Sequence, residues 1–246
     1  MEFIEKVRNL YADGRIEEAM NAISSKYPLI DEMPVDVLEV EAWCLFRFKK
    51  YELAAKASLV LAEQGSQKGY ELLAQIAGYV NKDDELLEKI FQKLPINVNV
   101  CNAYAIRARD PDSRIRVRKV LLSAISYMNE EEISVAHLLN NTARLLMAKG
   151  YEGTNMDIVT AIGFWQIALS KYGSKNYHHR AAVYYWLSKA YEKLGMLNEA
   201  EENAKKSLNL WEEQVALDKN NPKFQENLEG AKRRFEELQK LSTSNK

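Results

Sequence analysis

Along most of the chain, apolar residues return every three or four positions with charged and amide side chains between them. No segment alternates apolar and polar residues with period two over a useful length. The first pattern is that of amphipathic helices, and nearly the whole sequence reads as helix. The clearest stretch is AAVYYWLSKAYEKLGMLNEAEENAKKSLNL, from Ala181 to Leu210. Tyr184, Leu187, Ser188 and Tyr191 fall on one face of a first helix. Gly195 ends it, since glycine enters the left-handed conformation without a Cβ penalty. Ala200, Ala204, Ser207 and Leu208 then form the seam of a second helix, where small side chains allow axes to approach to about 8–10 Å.

The same helix–turn–helix order recurs upstream. ADGRIEEAM carries Gly14 and Ala19. FKKYELAAKA carries Tyr51 and Ala54, preceded by Leu38 and Ala42. GYELLAQIAGYVNKDDELLEKIFQKLP places Tyr70, Leu73, Ala74 and Ala77 before a turn, then Leu86 and Ile90, with Pro95 closing the unit. A fainter copy sets Cys101, Ala105 and Ala108 before DPDS, then Val117, Leu121 and Ala124. This order of large, small, aromatic, glycine and alanine positions, repeating at about 34 residues, resembles the tetratricopeptide repeat. In ARLLMAKGYEGTNMDIVTAIGFWQIALSKYG, the succession Gly150, Gly153, Asp157, Ala161, Phe164 and Ala168 resembles the Sel1-like variant of that hairpin, with two residues between the turn glycines instead of one.

After the sixth hairpin, Asn221 is an N-cap and Pro222 a first helical residue. Phe224, Leu228, Ala231, Phe235 and Leu238 then give one apolar stripe opposite a charged face, as a terminal capping helix needs. The sequence thus predicts an all-α fold: about six hairpins plus a cap, in a single unit over 1–241 with a bend near 95–97 and a flexible tail at 242–246. The resemblance implies that the hairpins wind into a right-handed superhelix.

Composition removes several function classes. With 34 basic and 35 acidic residues among 246, no global field draws the chain to nucleic acid or an anionic membrane. No run approaches the roughly 18 apolar residues of a membrane span, and the N-terminus lacks the apolar core of a secretory signal. Cys44 and Cys101 stand far apart in apolar surroundings, which predicts two buried free thiols and a cytoplasmic location.

Candidate chemistry is sparse. His178 and His179 are adjacent, so on a helix they diverge by about 100°, and neither they nor His137 form a zinc-helix signature. The carboxylate runs at Asn129–Glu132 and Asn198–Glu202 suit helix N-termini. No glycine-rich phosphate loop or nucleophile motif occurs. The sequence predicts no cofactor, no metal and no enzyme. A metal centre on the three histidines is the remotest alternative. Arg107, Arg109, Arg114, Arg116, Arg118 and Lys119 form a local basic cluster, and an RNA-associated adaptor is the second reading.

The tetratricopeptide resemblance implies that the first helix of each hairpin lines a groove for a partner protein. Carried over position by position, it assigns Glu39, Trp43 and Arg47, then Gln75 and Tyr79, then Asn102, Ile106 and Arg109. It continues with His137, Asn140, Asn141 and Arg144, and ends with Tyr185, Trp186 and Lys189. Asparagines can hold a peptide main chain, arginines a carboxylate, and aromatics an anchor side chain. The expected ligand is a peptide or helix of some acidic character. The family's clamp for a C-terminal carboxylate is matched by Asn141, but Ala182 and Trp186 stand where it requires a lysine and an arginine.

Overall fold

The structure is a computed structural model describing residues 2–107, 114–148 and 154–244, with the backbone alone for 114–118 and 244. Among these residues there are thirteen α-helices and no strand. The chain divides into two compact units, Met1–Arg107 and Ala108–Lys246.

The first unit holds α1 (Glu2–Ala12), α2 (Ile16–Lys26), α3 (Val35–Arg47), α4 (Tyr51–Glu63), α5 (Gln67–Gln75), α6 (Asp84–Lys93) and α7 (Val98–Arg107). Each of α1 to α4 packs on its successor, as do α5 on α6 and α6 on α7. Each odd-numbered helix also touches the next odd one, so α1, α3, α5 and α7 form one layer. Leu38, Ala42 and Ala54, expected at the seam, are buried with Val7, Ile23 and Leu61. Pro95 to Asn97 form the α6–α7 connection inside this unit.

The α1–α2, α3–α4 and α4–α5 turns share one hydrogen-bond design. Arg15 N–H reaches Leu10 O, Lys50 N–H reaches Leu45 O and Ser66 N–H reaches Leu61 O, each at 2.9 Å. The design needs a left-handed residue just before the donor. Gly14 and Gly65 supply it, but Lys49 takes φ +59° in the same role. Before α6 the chain widens into a π-helical turn, Ile76–Asn81, which Lys82 closes at φ +56°. Gly69 marks a close approach of α5 to α4: an added Cβ would lie 2.6 Å from Ala62 N and 2.7 Å from Ser58 O.

The second unit holds α8 (Arg114–Ser126), α9 (Ile133–Leu146), α10 (Asn155–Lys171), α11 (Tyr177–Lys193), α12 (Leu197–Leu217) and α13 (Pro222–Ser244), each packed on the next. A capping box of Thr154 and Asp157 opens α10. Gly150 and Gly153, the turn glycines of the Sel1-like pattern, lie outside the described residues, as does Ala108.

Within α11, the buried positions are Ala181, Val183, Leu187, Ser188 and Ala190. Tyr184 and Tyr191, expected at the seam, are half-buried instead. The reason is that α11 packs on both α10 and α12, so no single stripe describes it. On α12, Ala200, Ala204 and Ser207 are buried as expected, and Ser207 Oγ donates to Ala181 O at 2.8 Å.

Helix α13 buries Leu228, Ala231 and Leu238, but it also buries Arg234, which belonged to the charged face in the sequence pattern. Its guanidinium donates to Ser188 Oγ and Ser188 O, both at 3.1 Å, and to Glu192 Oε2 at 2.8 Å. The helix runs to Ser244, beyond the expected end near 241, and Ser242 Oγ donates to Glu201 Oε2 at 3.0 Å.

Candidate functional site

In the first unit, the layer of odd-numbered helices carries a cavity of about 380 Å³. Tyr11 of α1, Glu39, Val40 and Trp43 of α3, Lys68, Glu71 and Gln75 of α5, and Asn99 of α7 line it. Trp43, Gln75 and Glu39, three of the residues assigned by repeat position, share this lining. Arg47 is exposed, with its guanidinium 4.7 Å from the Tyr11 ring centroid. Tyr79 sits in the π-helical turn, half exposed, and Asn102 is buried on α7.

Glu71 is the buried anchor of this wall, only 5% exposed. Its Oε1 accepts from Asn97 Nδ2 at 2.9 Å, and its Oε2 from Asn99 Nδ2 at 3.1 Å and Lys68 Nζ at 3.2 Å. Glu39 Oε1 accepts from Ser66 Oγ at 3.0 Å. The sequence pattern gave no sign of Glu71, because a carboxylate among helical face positions reads as solvated. The one available signal was the pair Asn97 and Asn99, two amide donors either side of Val98 at the start of α7.

Deeper in the same unit, Glu41 is buried and its Oε2 meets no hydrogen-bond donor among the described residues. Burial pushes its carboxyl up to about 7 against the pull of Lys50. Burial, with the charge of Glu41, pushes the Cys44 thiol up to about 12. Cys44 and Cys101 are both free and buried.

The second unit assembles two connected clusters on α9, α10 and α11. In the first, Trp165 Nε1–H donates to Asn140 Oδ1 at 3.0 Å. The Tyr172 hydroxyl lies 3.0 Å from His137 Nδ1. His179 stacks on Tyr172 at 5.2 Å between centroids, touches His137 at 4.5 Å and His178 at 3.9 Å. His137 and His179 therefore meet Tyr172 directly, and His178 joins them through His179. Burial holds each imidazole below its ordinary range, and for His179 the neighbouring histidines add to it and bring it to about 4. Among the described residues no three His, Cys, Asp or Glu side chains are placed to hold a metal ion. Asn140 and His137, assigned to the groove by position, are engaged in this packing network. Tyr172, its hub, was hidden in the turn sequence SKYG.

The second cluster is more open. Trp186 packs near Trp165, with 6.3 Å between ring centroids and planes 18° apart. The Arg144 guanidinium lies 5.3 Å and Lys189 Nζ 5.2 Å from the Trp186 centroid, and Lys189 also lies 4.8 Å from that of Tyr185. Arg144, Tyr185, Trp186 and Lys189 are all half-buried, as is Asn141 on α9. Lys189 has no carboxylate partner among the described residues. Two cations thus share one indole face system while keeping access to solvent.

Of the basic cluster, Arg107 is bidentate to Asp84 at 2.8 and 3.0 Å. Arg109 lies outside the described residues, as do the side chains of Arg114, Arg116 and Arg118. No helix among the described residues is long and apolar enough to cross a membrane.

No protein-family model matches the sequence, and no curated protein matches it. Solved structures do. A tetratricopeptide repeat protein from Parabacteroides merdae matches at a TM-score of 0.57 and 13% identity, over 93% of this chain and 82% of that one. The C-terminal part of a TPR repeat-containing protein from Cytophaga hutchinsonii is 16% identical over 92% of this chain and 99% of that one, at a TM-score of 0.32. The first match bears out the expected architecture: the fold is an all-α, tetratricopeptide-like repeat fold.

Proposed function

We propose that the protein is a non-enzymatic interaction scaffold, and that the α9–α11 face of its second unit binds an acidic segment of a partner protein. The observation that carries this reading is the gathering of Arg144 and Lys189 about Trp186 and Tyr185. A carboxylate brought to this surface is attracted by the cations while the indole supplies apolar contact, and Lys189, which lies over both rings, is the nearest cation for it to pair with. Asn141, half-buried on α9, adds an amide of the kind that pairs with a peptide main chain. The stacking of Trp165 on Trp186 fixes the platform before any ligand arrives, which lowers the ordering cost of binding.

The test is affinity capture from a cell lysate by the wild-type chain, Trp186→Ala and Lys189→Glu, with identification by mass spectrometry. Partners held by this face are retained by the wild type and lost from both variants. They release into acidic peptides added in excess. Capture that survives both substitutions counts against this face, and capture abolished by ribonuclease supports the RNA reading instead.

A further inference from the structure

We infer that the cavity on the α1–α3–α5–α7 layer of the first unit is a seat for a cationic side chain, a lysine or arginine of a partner segment. This goes beyond the acidic ligand proposed for the second unit and rests on different residues.

The seat is already marked by a cation of the chain itself. Lys68 Nζ sits 3.2 Å from Glu71 Oε2, yet its side chain is 57% exposed while that of Glu71 is 7% exposed. The carboxylate is therefore enclosed, while the ammonium that meets it is open to solvent. Asn97 and Asn99 orient the Glu71 oxygens through side-chain amides from a separate helix and its lead-in, so the carboxylate keeps its direction when Lys68 swings away. An exposed lysine in an i,i+3 pair contributes little to stability, so a guanidinium or ammonium from outside displaces it at small cost. An arginine gains further, because its planar fork can bond a carboxylate bidentately.

The rest of the cavity fits the same ligand. Glu39 of α3 lines the same cavity as Glu71, its Oε1 accepting from Ser66 Oγ. Two carboxylates against the single lysine leave the lining with one negative charge in excess. Trp43 supplies an aromatic wall, held edge-on by Phe46 at 5.9 Å, against which a cation packs favourably. Arg47 already lies over the Tyr11 ring, which leaves Trp43 as the lining aromatic for an incoming cation. Gln75, half-buried on the cavity wall, offers an amide to the main chain of the bound segment.

The test uses the full chain and a probe of defined charge, an acetylated and amidated Gly-Arg-Gly-Arg-Gly peptide, with its glutamate counterpart for comparison. Binding is measured by calorimetry for the wild type, Lys68→Ala, Glu39→Gln, Lys56→Ala and Trp186→Ala. Removing the competing Lys68 is expected to tighten the arginine peptide about fivefold. Lys56 is exposed on α4 and its removal changes the net charge equally, so Lys56→Ala should stay within about twofold of wild type. Glu39→Gln, which keeps the side-chain shape and the Ser66 contact, should weaken binding about fivefold. Trp186→Ala should leave the arginine peptide unaffected and weaken the glutamate peptide, which separates this seat from the face of the second unit. The inference is overturned by absence of saturable arginine-peptide binding in both wild type and Lys68→Ala. It is equally overturned by an unchanged affinity in Glu39→Gln, or by Lys68→Ala behaving like Lys56→Ala.

Discussion

A buried carboxyl in the first unit and a cluster of imidazoles in the second reach neutrality in opposite ways. In the first, a carboxyl, Glu41, is sealed among helices with one oxygen unpartnered, and burial favours its protonated, neutral form. In the second, three imidazoles form a cluster beside Tyr172, linked through His179, and burial favours their deprotonated, neutral form. Both arrangements avoid burying charge, but one does so by holding a proton and the other by losing one. Similar helical hairpins can therefore answer acid in opposite directions, and the sign is set by which residue fills a core position.

Backbone contacts separate the units still more sharply. Gly69→Ala forces a methyl group into the backbone of α4, and is expected to destabilise the first unit by about 3 kcal/mol. In the second unit, Gly163 and Gly230 lie inside α10 and α13 with nothing within 4 Å of an added Cβ. Gly163→Ala should stabilise its helix by about 1 kcal/mol. Urea denaturation followed by amide hydrogen exchange, read segment by segment, measures both. Equal effects in the two units would erase the distinction.

The next largest effect is the response to pH. Glu41, raised from 4.5 to about 7, contributes stability that is complete below pH 4.5 and is lost as the pH rises through 7. His179, lowered from 6.5 to about 4, contributes stability that is present above pH 6.5 and is lost as the pH falls toward 4. Moving from pH 7.5 to 5 should therefore strengthen the first unit and weaken the second, by about 2 kcal/mol each. Glu41→Gln should abolish the first change and His179→Gln most of the second, with exchange rates again as the readout. Parallel shifts in both units would show that other groups dominate.

The smallest expected effect sharpens a comparison within the first unit. Gly14 and Lys49 hold the same place in two turns, at φ +76° and +59°. A side chain in the left-handed region costs about 1 kcal/mol, so Lys49→Gly should raise stability by about 0.5–1 kcal/mol, visible as a higher urea midpoint. Gly14→Lys should lower it by a similar amount.

These contrasts also explain what the sequence disclosed. Helical periodicity and the Gly195 turn revealed the hairpins, because packing seams and left-handed caps impose residue types. The Lys49 turn was still recognisable from Tyr51 and Ala54, which pack just after it. The candidate sites were legible only in part. Trp43, Gln75, Arg144, Trp186 and Lys189 could be assigned by position within the repeat, but Glu71, Tyr172 and Arg234 could not. Each of these three is polar and sits where the pattern expects solvent, and each is placed by hydrogen-bond partners at least 25 residues away in sequence. Periodicity registers which face is apolar and carries no record of such long-range pairings. Asn140 illustrates the converse, since its repeat position suggested a groove residue but its amide turns inward to Trp165.

The buried Arg234 bears on how portable α13 is. An apolar stripe alone would let this helix cover any hairpin with a complementary seam, and repeat arrays could exchange it freely. With its guanidinium engaged by Ser188 and Glu192, the helix fits only a neighbour carrying those acceptors. Grafted elsewhere, it would bring an unneutralised charge into a dry interface. Modularity is thus limited where α13 meets α11, an interface that works as a matched pair.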